Sequence, residues 1–186
     1  MLFDLTARDG DPEIARLVIH RGADVDGLDD EHHAPLHVAG IKGHTNFARI
    51  LLEEGASPEA RDEQGWATLH VTAECGHIEF MQLLLDHGAD VDVHGKDGWT
   101  ALHLAAQAGS LEQARMLIDR GANIATRDEI GWTPLHIAAA NGHTELVRLL
   151  HERGADVTGR NDYGWTPLHT AAQEAKDACV RLLLEL

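Results

Sequence analysis

The sequence has little of what a catalytic site needs. Serine occurs only at Ser57 and Ser110, and neither lies in a GxSxG nucleophile elbow. The cysteines Cys75 and Cys179 form no CxxC pair, and the chain contains no HExxH, GxGxxG or GxxxxGK[ST] motif. We therefore expect no enzyme activity, no cofactor and no metal site.

Positive charge and long apolar runs are scarce as well. The chain has 15 Lys and Arg against 31 Asp and Glu, a net charge of −16. Such a charge disfavours nucleic acid and anionic membranes as partners, because both are bound through basic surfaces. No stretch approaches the ~20 apolar residues of a spanning helix, and the first nine residues lack a basic leader. We expect a monomer in the cytoplasm that binds neither nucleic acid nor membrane.

What the sequence does contain is a repeat with a period of 33 residues. A fixed period of this size indicates one supersecondary unit copied along the chain. Histidines, tryptophans and glycines all keep the same phase. The set comprises His37, His70, His103, His136 and His169; Trp66, Trp99, Trp132 and Trp165; and Gly10, Gly43, Gly76, Gly109 and Gly142.

One copy, residues 128–160, shows what the unit is. Thr133 followed by Pro134 is typical of a helix start, because the hydroxyl can cap free N–H groups and proline suits the first helical position. Gly142 ends that helix, and a second apolar stripe predicts a helix that stops at Gly154. Neither helix is long enough to be stable alone. The unit is therefore two short antiparallel helices and a projecting β-turn, stabilised by stacking on its neighbours.

Five strings recur at the start of the first helix: APLHVAG (34–40), ATLHVTA (67–73), TALHLAA (100–106), TPLHIAA (133–139) and TPLHTAA (166–172), with Gly-His and Gly-Ala-Asp motifs in matching phase. These strings resemble the signature of the ankyrin repeat family. The resemblance covers essentially the whole chain. It implies an all-α solenoid of helix-turn-helix units with projecting β-turn loops, and a concave face formed by the turn tips and first helices. It also implies non-catalytic binding of a protein or peptide.

The repeats divide the chain, residues 1–186, as a single ankyrin-repeat domain. Their bounds are about 1–28 (a capping unit), 29–61, 62–94, 95–127, 128–160 and 161–186 (a capping or truncated unit). Because the two cysteines lie more than three repeats apart, stacking excludes a disulfide between them and favours a reducing cytoplasm. We expect Cys179 to be buried on the apolar stripe of the last helix.

Some positions depart from the repeat. Phe3 and Asp4 replace the leucine and histidine of the signature, which predicts a polar cap. His32 takes the place of a turn glycine, and we expect that turn to be reshaped because side chains disfavour positive φ. In the last repeat Ala175 replaces the glycine that follows the first helix.

The five histidines of the signature, hereafter the signature histidines, are expected to be structural. We predict that each bonds between turn and helix through both ring nitrogens and so ties one unit to the next. His33 and His37 are four residues apart, but no ligand motif surrounds them, and we interpret them as structural too.

The candidate binding residues follow the turns. Trp66, Trp99, Trp132 and Trp165 each come directly after a turn glycine, with His33 in the equivalent position, hereafter the tryptophan slot. Tryptophan is typical of binding hot spots, although bulky residues here could equally pack on neighbouring turns. Arg127 and Arg160 could stack on these rings to give a basic aromatic strip suited to an acidic peptide or loop. The apolar turn tips Ile130 and Tyr163 complete the predicted surface.

The sequence thus predicts a protein–protein interaction module or scaffold. Three alternatives stay open. The chain could be the recognition segment of a larger enzyme, channel or regulator, which the stop at Leu186 within a repeat would fit. It could be an engineered repeat binder, or an isolated domain with catalysis or a metal.

Overall fold

The structure is a computed structural model that describes residues 7–186. The chain folds as two compact units, the first ending at Lys96 and the second running from Asp97 to Leu186. Phe3 and Asp4, the predicted polar cap, lie outside the described residues. None of the helices within residues 7–186 combines the length and apolar character that crossing a bilayer would require.

The described residues are helical apart from their turns and connections. Residues 7–9 are helical. In the first unit the following helices are α1 (Pro12–His20), α2 (Pro35–Lys42), α3 (Thr45–Glu53), α4 (Thr68–Cys75) and α5 (Ile78–Asp86). In the second unit they are α6 (Ala101–Ala108), α7 (Leu111–Asp119), α8 (Pro134–Asn141), α9 (Thr144–Glu152), α10 (Pro167–Gln173) and α11 (Asp177–Glu185).

Within each unit the helices stack as the repeat predicts. Consecutive helices pair as α2 with α3 and α4 with α5 in the first unit, and as α6–α7, α8–α9 and α10–α11 in the second. First helices then pack on first helices (α2 on α4; α6 on α8 and α8 on α10), and second helices pack on second helices. The predicted helix-turn-helix solenoid architecture is confirmed.

The two helices of a pair contribute apolar side chains of different size, including small ones from the first helix and large ones from the second. In α8, Ala138 and Ala139 are fully buried, and such small side chains let first helices approach closely. In α9, Leu146 and Leu150 are 1% and 0% exposed and supply the bulk of the core. Each fully buried leucine contributes roughly 1.5–3 kcal/mol relative to an exposed one.

The helix ends are also those the sequence predicts. Thr133 caps α8 by accepting the backbone N–H of His136. Gly142 follows α8 with φ 83°, in the left-handed region where glycine alone lacks a steric penalty. Ala175 occupies the corresponding place after α10 and still adopts φ 52°, and α10 ends at Gln173, one residue earlier than the repeat would give.

The expectation of a reshaped turn at His32 is wrong. His32 adopts φ 59°, close to the 78° of Gly131 in the same place three repeats further on. Hydrogen bonds hold the backbone there: the Asp29 carboxylate accepts the N–H groups of Glu31 (2.9 Å) and His33 (2.8 Å). The closed turn therefore overrides the preference of the residue, and histidine is among the side chains more often found left-handed.

The two cysteines are free thiols, one in each unit. Cys179 is fully buried in α11, as predicted, with its Sγ 3.5 Å from Thr144 Oγ1. Cys75 is exposed at the end of α4. Partial burial, and then the charge of Glu74, raise the pKa of the Cys75 thiol, which leaves it a poor nucleophile near neutral pH.

Candidate functional site

The turn tips of the second unit are held by side-chain hydrogen bonds. Asp128 Oδ1 accepts the N–H groups of Ile130 (3.0 Å) and Trp132 (2.7 Å). Asn161 Oδ1 does the same for Tyr163 (3.0 Å) and Trp165 (2.9 Å). Each turn is closed by its own hydrogen bonds, so the backbone N–H of the tip residue already has an acceptor. The side chain of that residue is therefore held on a rigid backbone.

The signature histidines link the first helix of one repeat to the turn of the next. His136 Nδ1 lies 2.8 Å from Thr133 Oγ1 and accepts the backbone N–H of Thr133, while Nε2 lies 3.0 Å from the carbonyl oxygen of Trp165. His103 makes the same contacts to Thr100 and to the carbonyl of Trp132, at 3.2 Å. The predicted link through both ring nitrogens is confirmed for these two residues and is wrong for His37, whose Nδ1 is buried without a hydrogen-bond partner.

This arrangement fixes the chemical state of the ring. An Nδ1 that accepts a backbone N–H carries no proton, so the neutral ring holds its proton on Nε2 and donates it to the carbonyl oxygen. Burial lowers the pKa of His136, which favours that neutral form. The ring is therefore a structural donor and is not placed to act as a base.

The tryptophans lie against these histidines. The ring centroids of Trp66 and His70 are 5.7 Å apart, those of Trp99 and His103 are 5.9 Å apart, and those of Trp132 and His136 are 6.2 Å apart. The three tryptophans are half-buried, and the indole Nε1 of Trp132 is buried without a hydrogen-bond partner. These rings pack in place, whereas Trp165 is exposed at 38%.

The arginines have other partners than predicted. Arg127 donates from Nη1 to the carbonyl of Arg160 (2.9 Å) and from Nη2 to Asp162 Oδ1 (2.7 Å). Arg160 donates from Nη1 to the carbonyl of Gly164. Main-chain oxygens and, for Arg127, the Asp162 carboxylate hold these guanidinium groups, and their stacking on tryptophan stays a prediction. Both side chains remain exposed at the surface.

The structure brings four of the predicted residues to one surface. Trp132, Tyr163 and Trp165 line an open apolar depression of about 490 Å³. Tyr163 is 68% exposed, and Ile130, at the tip of the preceding turn, is 44% exposed. We call Trp132, Tyr163 and Trp165 the aromatic depression. Trp66 belongs to the first unit, where it is half-buried beside His70.

One cluster was missed by sequence reasoning. His37 Nε2 lies 3.4 Å from Asp62 Oδ2, and the rings of His33 and His37 are stacked with centroids 5.3 Å apart and planes 1° apart. His37 is 2% exposed, and burial lowers its pKa to about 4, against the opposing pull of the Asp62 charge. The replacement of tryptophan by His33 was visible in the sequence. The contribution of Asp62 was not, because it lies in the next repeat.

Comparison with known proteins accords with this architecture. A family model describing three ankyrin repeats matches the chain three times, over residues 2–62, 54–128 and 122–186. The chain therefore belongs to the ankyrin repeat family. Ankyrin repeats are generally protein–protein interaction modules and are typically non-catalytic. A search of curated proteins found no match.

Proposed function

We propose that this chain is a non-catalytic module that binds a partner protein or peptide through its turn tips and the adjacent face of its first helices. The proposed contact residues are Trp66, Trp99, Trp132, Trp165, Arg127, Arg160, Ile130 and Tyr163. The observation that carries the proposal is the aromatic depression, where large apolar side chains remain open to solvent on a rigid frame.

The proposed contact residues differ in how far their side chains are exposed to solvent. Tyr163 and Ile130 project from the turn tips, and Trp165 is the most exposed of the proposed tryptophans. Aromatic residues dominate binding energy where a partner can cover them fully. Trp132 is half-buried against His136 and forms the more enclosed wall of the depression.

The chemistry of the surroundings favours a particular occupant. A depression of about 490 Å³ accommodates one or two apolar side chains of a peptide loop. Arg127 donates to Asp162 and Arg160 donates to the carbonyl of Gly164, the two chain neighbours of Tyr163, and both arginines are exposed. Because Asp162 only partly neutralises these charges, we propose an apolar anchor flanked by acidic residues as the ligand.

Rigidity supports the proposal energetically. The carboxylate of Asp128 and the amide of Asn161 close the two turns before any partner arrives. A partner that docks on such tips orders few side chains, so little of the binding energy is lost as conformational entropy.

The test is a selection followed by a measured affinity. Peptides selected from a random library on the full chain should contain an apolar anchor beside acidic residues, and their affinity is measured by fluorescence polarisation. We expect Tyr163→Ala/Trp165→Ala to weaken binding at least roughly a hundredfold, since two hot-spot residues are removed. The control is Leu184→Ala, which removes a side chain 69% exposed on α11. Equal affinity for the double variant and the control would refute the proposed surface.

We further propose that the protein is monomeric and cytoplasmic, and that neither nucleic acid nor membrane is its partner. The net charge of −16 and the two free thiols support this proposal. Sedimentation over a range of concentrations tests the monomer, and fractionation of the source cells tests the location.

A further inference from the structure

The cluster of His33, His37 and Asp62, hereafter the His–Asp cluster, sets the second repeat apart. In the four later repeats the tryptophan slot holds an indole, and in the second repeat it holds the imidazole of His33. An apolar ring is thereby exchanged for one that carries a metal-binding nitrogen. The neighbouring ring of His37 stacks on it in parallel at 5.3 Å.

His37 is also free of the hydrogen bond that fixes the other signature histidines. In His70, His103 and His136, Nδ1 accepts a backbone N–H from the residue three positions earlier, which places the proton on Nε2. Nδ1 of His37 is buried and has no partner. No backbone N–H therefore holds the proton on Nε2, and an ion that displaces this proton would meet the Nε2 lone pair on the side of Asp62.

The distances suit coordination better than a hydrogen bond. His37 Nε2 and Asp62 Oδ2 are 3.4 Å apart, long for a charge-assisted hydrogen bond. Two ligands of a tetrahedral zinc ion, each about 2.0–2.1 Å from the metal, stand about 3.3 Å apart. One ligand atom from each of His33, His37 and Asp62 lies within 4.8 Å of the others, so a modest rotation of His33 completes the set.

The surroundings supply charge, a further ligand and access. Glu31 and Asp29 form a second group with His33, in which one oxygen from each carboxylate and one His33 nitrogen also lie within 4.8 Å of one another. Asp29 Oδ2 is buried and has no hydrogen-bond partner. A cavity of about 270 Å³, lined by Asp29 and Glu31 but also by Arg8 and Lys42, opens beside His33. The side chain of His33 is 20% exposed and that of Asp62 is 10% exposed.

We propose that His33, His37 and Asp62 bind a divalent transition-metal ion of the zinc type, with a fourth position left for water or Glu31. Two imidazoles and a carboxylate form a ligand set typical of such ions. Bound there, the ion joins two successive repeats, because His33 and His37 belong to one and Asp62 to the next. The site revises the expectation, drawn from motifs alone, that the chain binds no metal.

The chain itself suggests variants that remove ligands and keep the fold. His33→Trp installs the residue of the tryptophan slot in the later repeats. Asp62→Asn keeps the turn closed, because Asn161 caps its own turn through Oδ1 in the same position. His20→Gln removes an exposed histidine of α1 and serves as the control for unspecific binding.

The experiment uses the full chain freed of any tag and stripped of metal. Cobalt(II) is titrated while its visible absorption is recorded, zinc then displaces it, and the melting temperature is measured with and without zinc. We expect one ion per chain, a tetrahedral cobalt spectrum and a higher melting temperature with zinc. His33→Trp and Asp62→Asn should each weaken binding at least about tenfold, with unchanged far-ultraviolet circular dichroism.

Three outcomes would overturn the proposal. One is the absence of stoichiometric cobalt binding. Another is binding that survives both ligand variants, which would place the ion elsewhere, with the exposed thiol of Cys75 as the first alternative. A third is loss of binding in His20→Gln to the same extent as in His33→Trp.

Discussion

Ala175 offers a test of what the glycines after the first helices contribute. It has φ 52°, where Gly43, Gly76 and Gly142 adopt 74°, 81° and 83°. An alanine held in the left-handed region costs about 1–2 kcal/mol. Glycine removes that cost but loses about 0.4–1 kcal/mol through the greater freedom of the unfolded chain. We therefore expect Ala175→Gly to raise the free energy of unfolding by about 0.5–1 kcal/mol.

Two reverse substitutions separate backbone conformation from steric contact. A Cβ at Gly76 would meet no heavy atom within 4 Å, so Gly76→Ala should lower stability only by the backbone cost, about 1 kcal/mol. A Cβ at Gly43 would lie 2.7 Å from the His77 ring, whose Nε2 bonds the carbonyl of Ile41. Gly43→Ala should therefore lower stability by more than about 2 kcal/mol, since the ring must also move.

The assay is denaturant unfolding followed by circular dichroism, with thermal melting as the second measurement. For a chain of 186 residues, a change of 1 kcal/mol shifts the melting temperature by about 2–4 °C. The expected order of stability is Ala175→Gly, the parent chain, Gly76→Ala and Gly43→Ala. A lower stability of Ala175→Gly, or an unchanged stability of Gly76→Ala, would refute the assignment of these positions to left-handed φ.

Two further predictions concern the signature histidines. Because burial lowers the pKa of His37 from 6.5 to about 4, the unfolded chain binds a proton that the folded chain resists. The stability that His37 contributes is therefore complete above pH 6.5 and is lost as the pH falls towards 4, by about 3 kcal/mol in all. Urea unfolding across this pH range, with a chelator present, measures the loss. An equal dependence of the free energy of unfolding on pH in His37→Gln would contradict the prediction. His136→Leu should cost about 1–3 kcal/mol, because the Trp165 carbonyl and the Thr133 N–H lose their partner. His169→Leu, at an exposed ring whose hydrogen bonds within residues 7–186 go to Thr166, should cost less. Equal losses in chemical denaturation would show that the bond between repeats contributes nothing.

The fold was predictable because the same information recurs in every repeat. Thr133, Gly142 and Gly154 mark helix ends by local chemistry, and the helices end within one residue of the same places even where Ala67 or Ala175 replaces the usual residue. The rule that side chains disfavour positive φ failed where a turn closed by local hydrogen bonds outweighs it. At His32 the Asp29 carboxylate closes the turn and holds a positive φ that the side chain alone would not choose.

The candidate site was less predictable because it depends on contacts between repeats. The sequence placed Arg127 near Trp132, but the carbonyl of Arg160 that holds its guanidinium belongs to the following repeat. His33 and His37 were visible as a pair, whereas Asp62 reaches them only once the next turn is in place. The solvent exposure of the tryptophans could not be predicted from the repeat either. They share one position in it, yet Trp165 is the exposed one among them.

The hydrogen bonds between repeats in the second unit have a consequence for how such a chain can diversify. His103 and His136 hold the following repeat by the main-chain oxygen of Trp132 or Trp165, an atom that every amino acid provides. The hydrogen bond between repeats therefore does not require a particular side chain in the tryptophan slot. A lineage can exchange that side chain while the hydrogen bond between the repeats is kept.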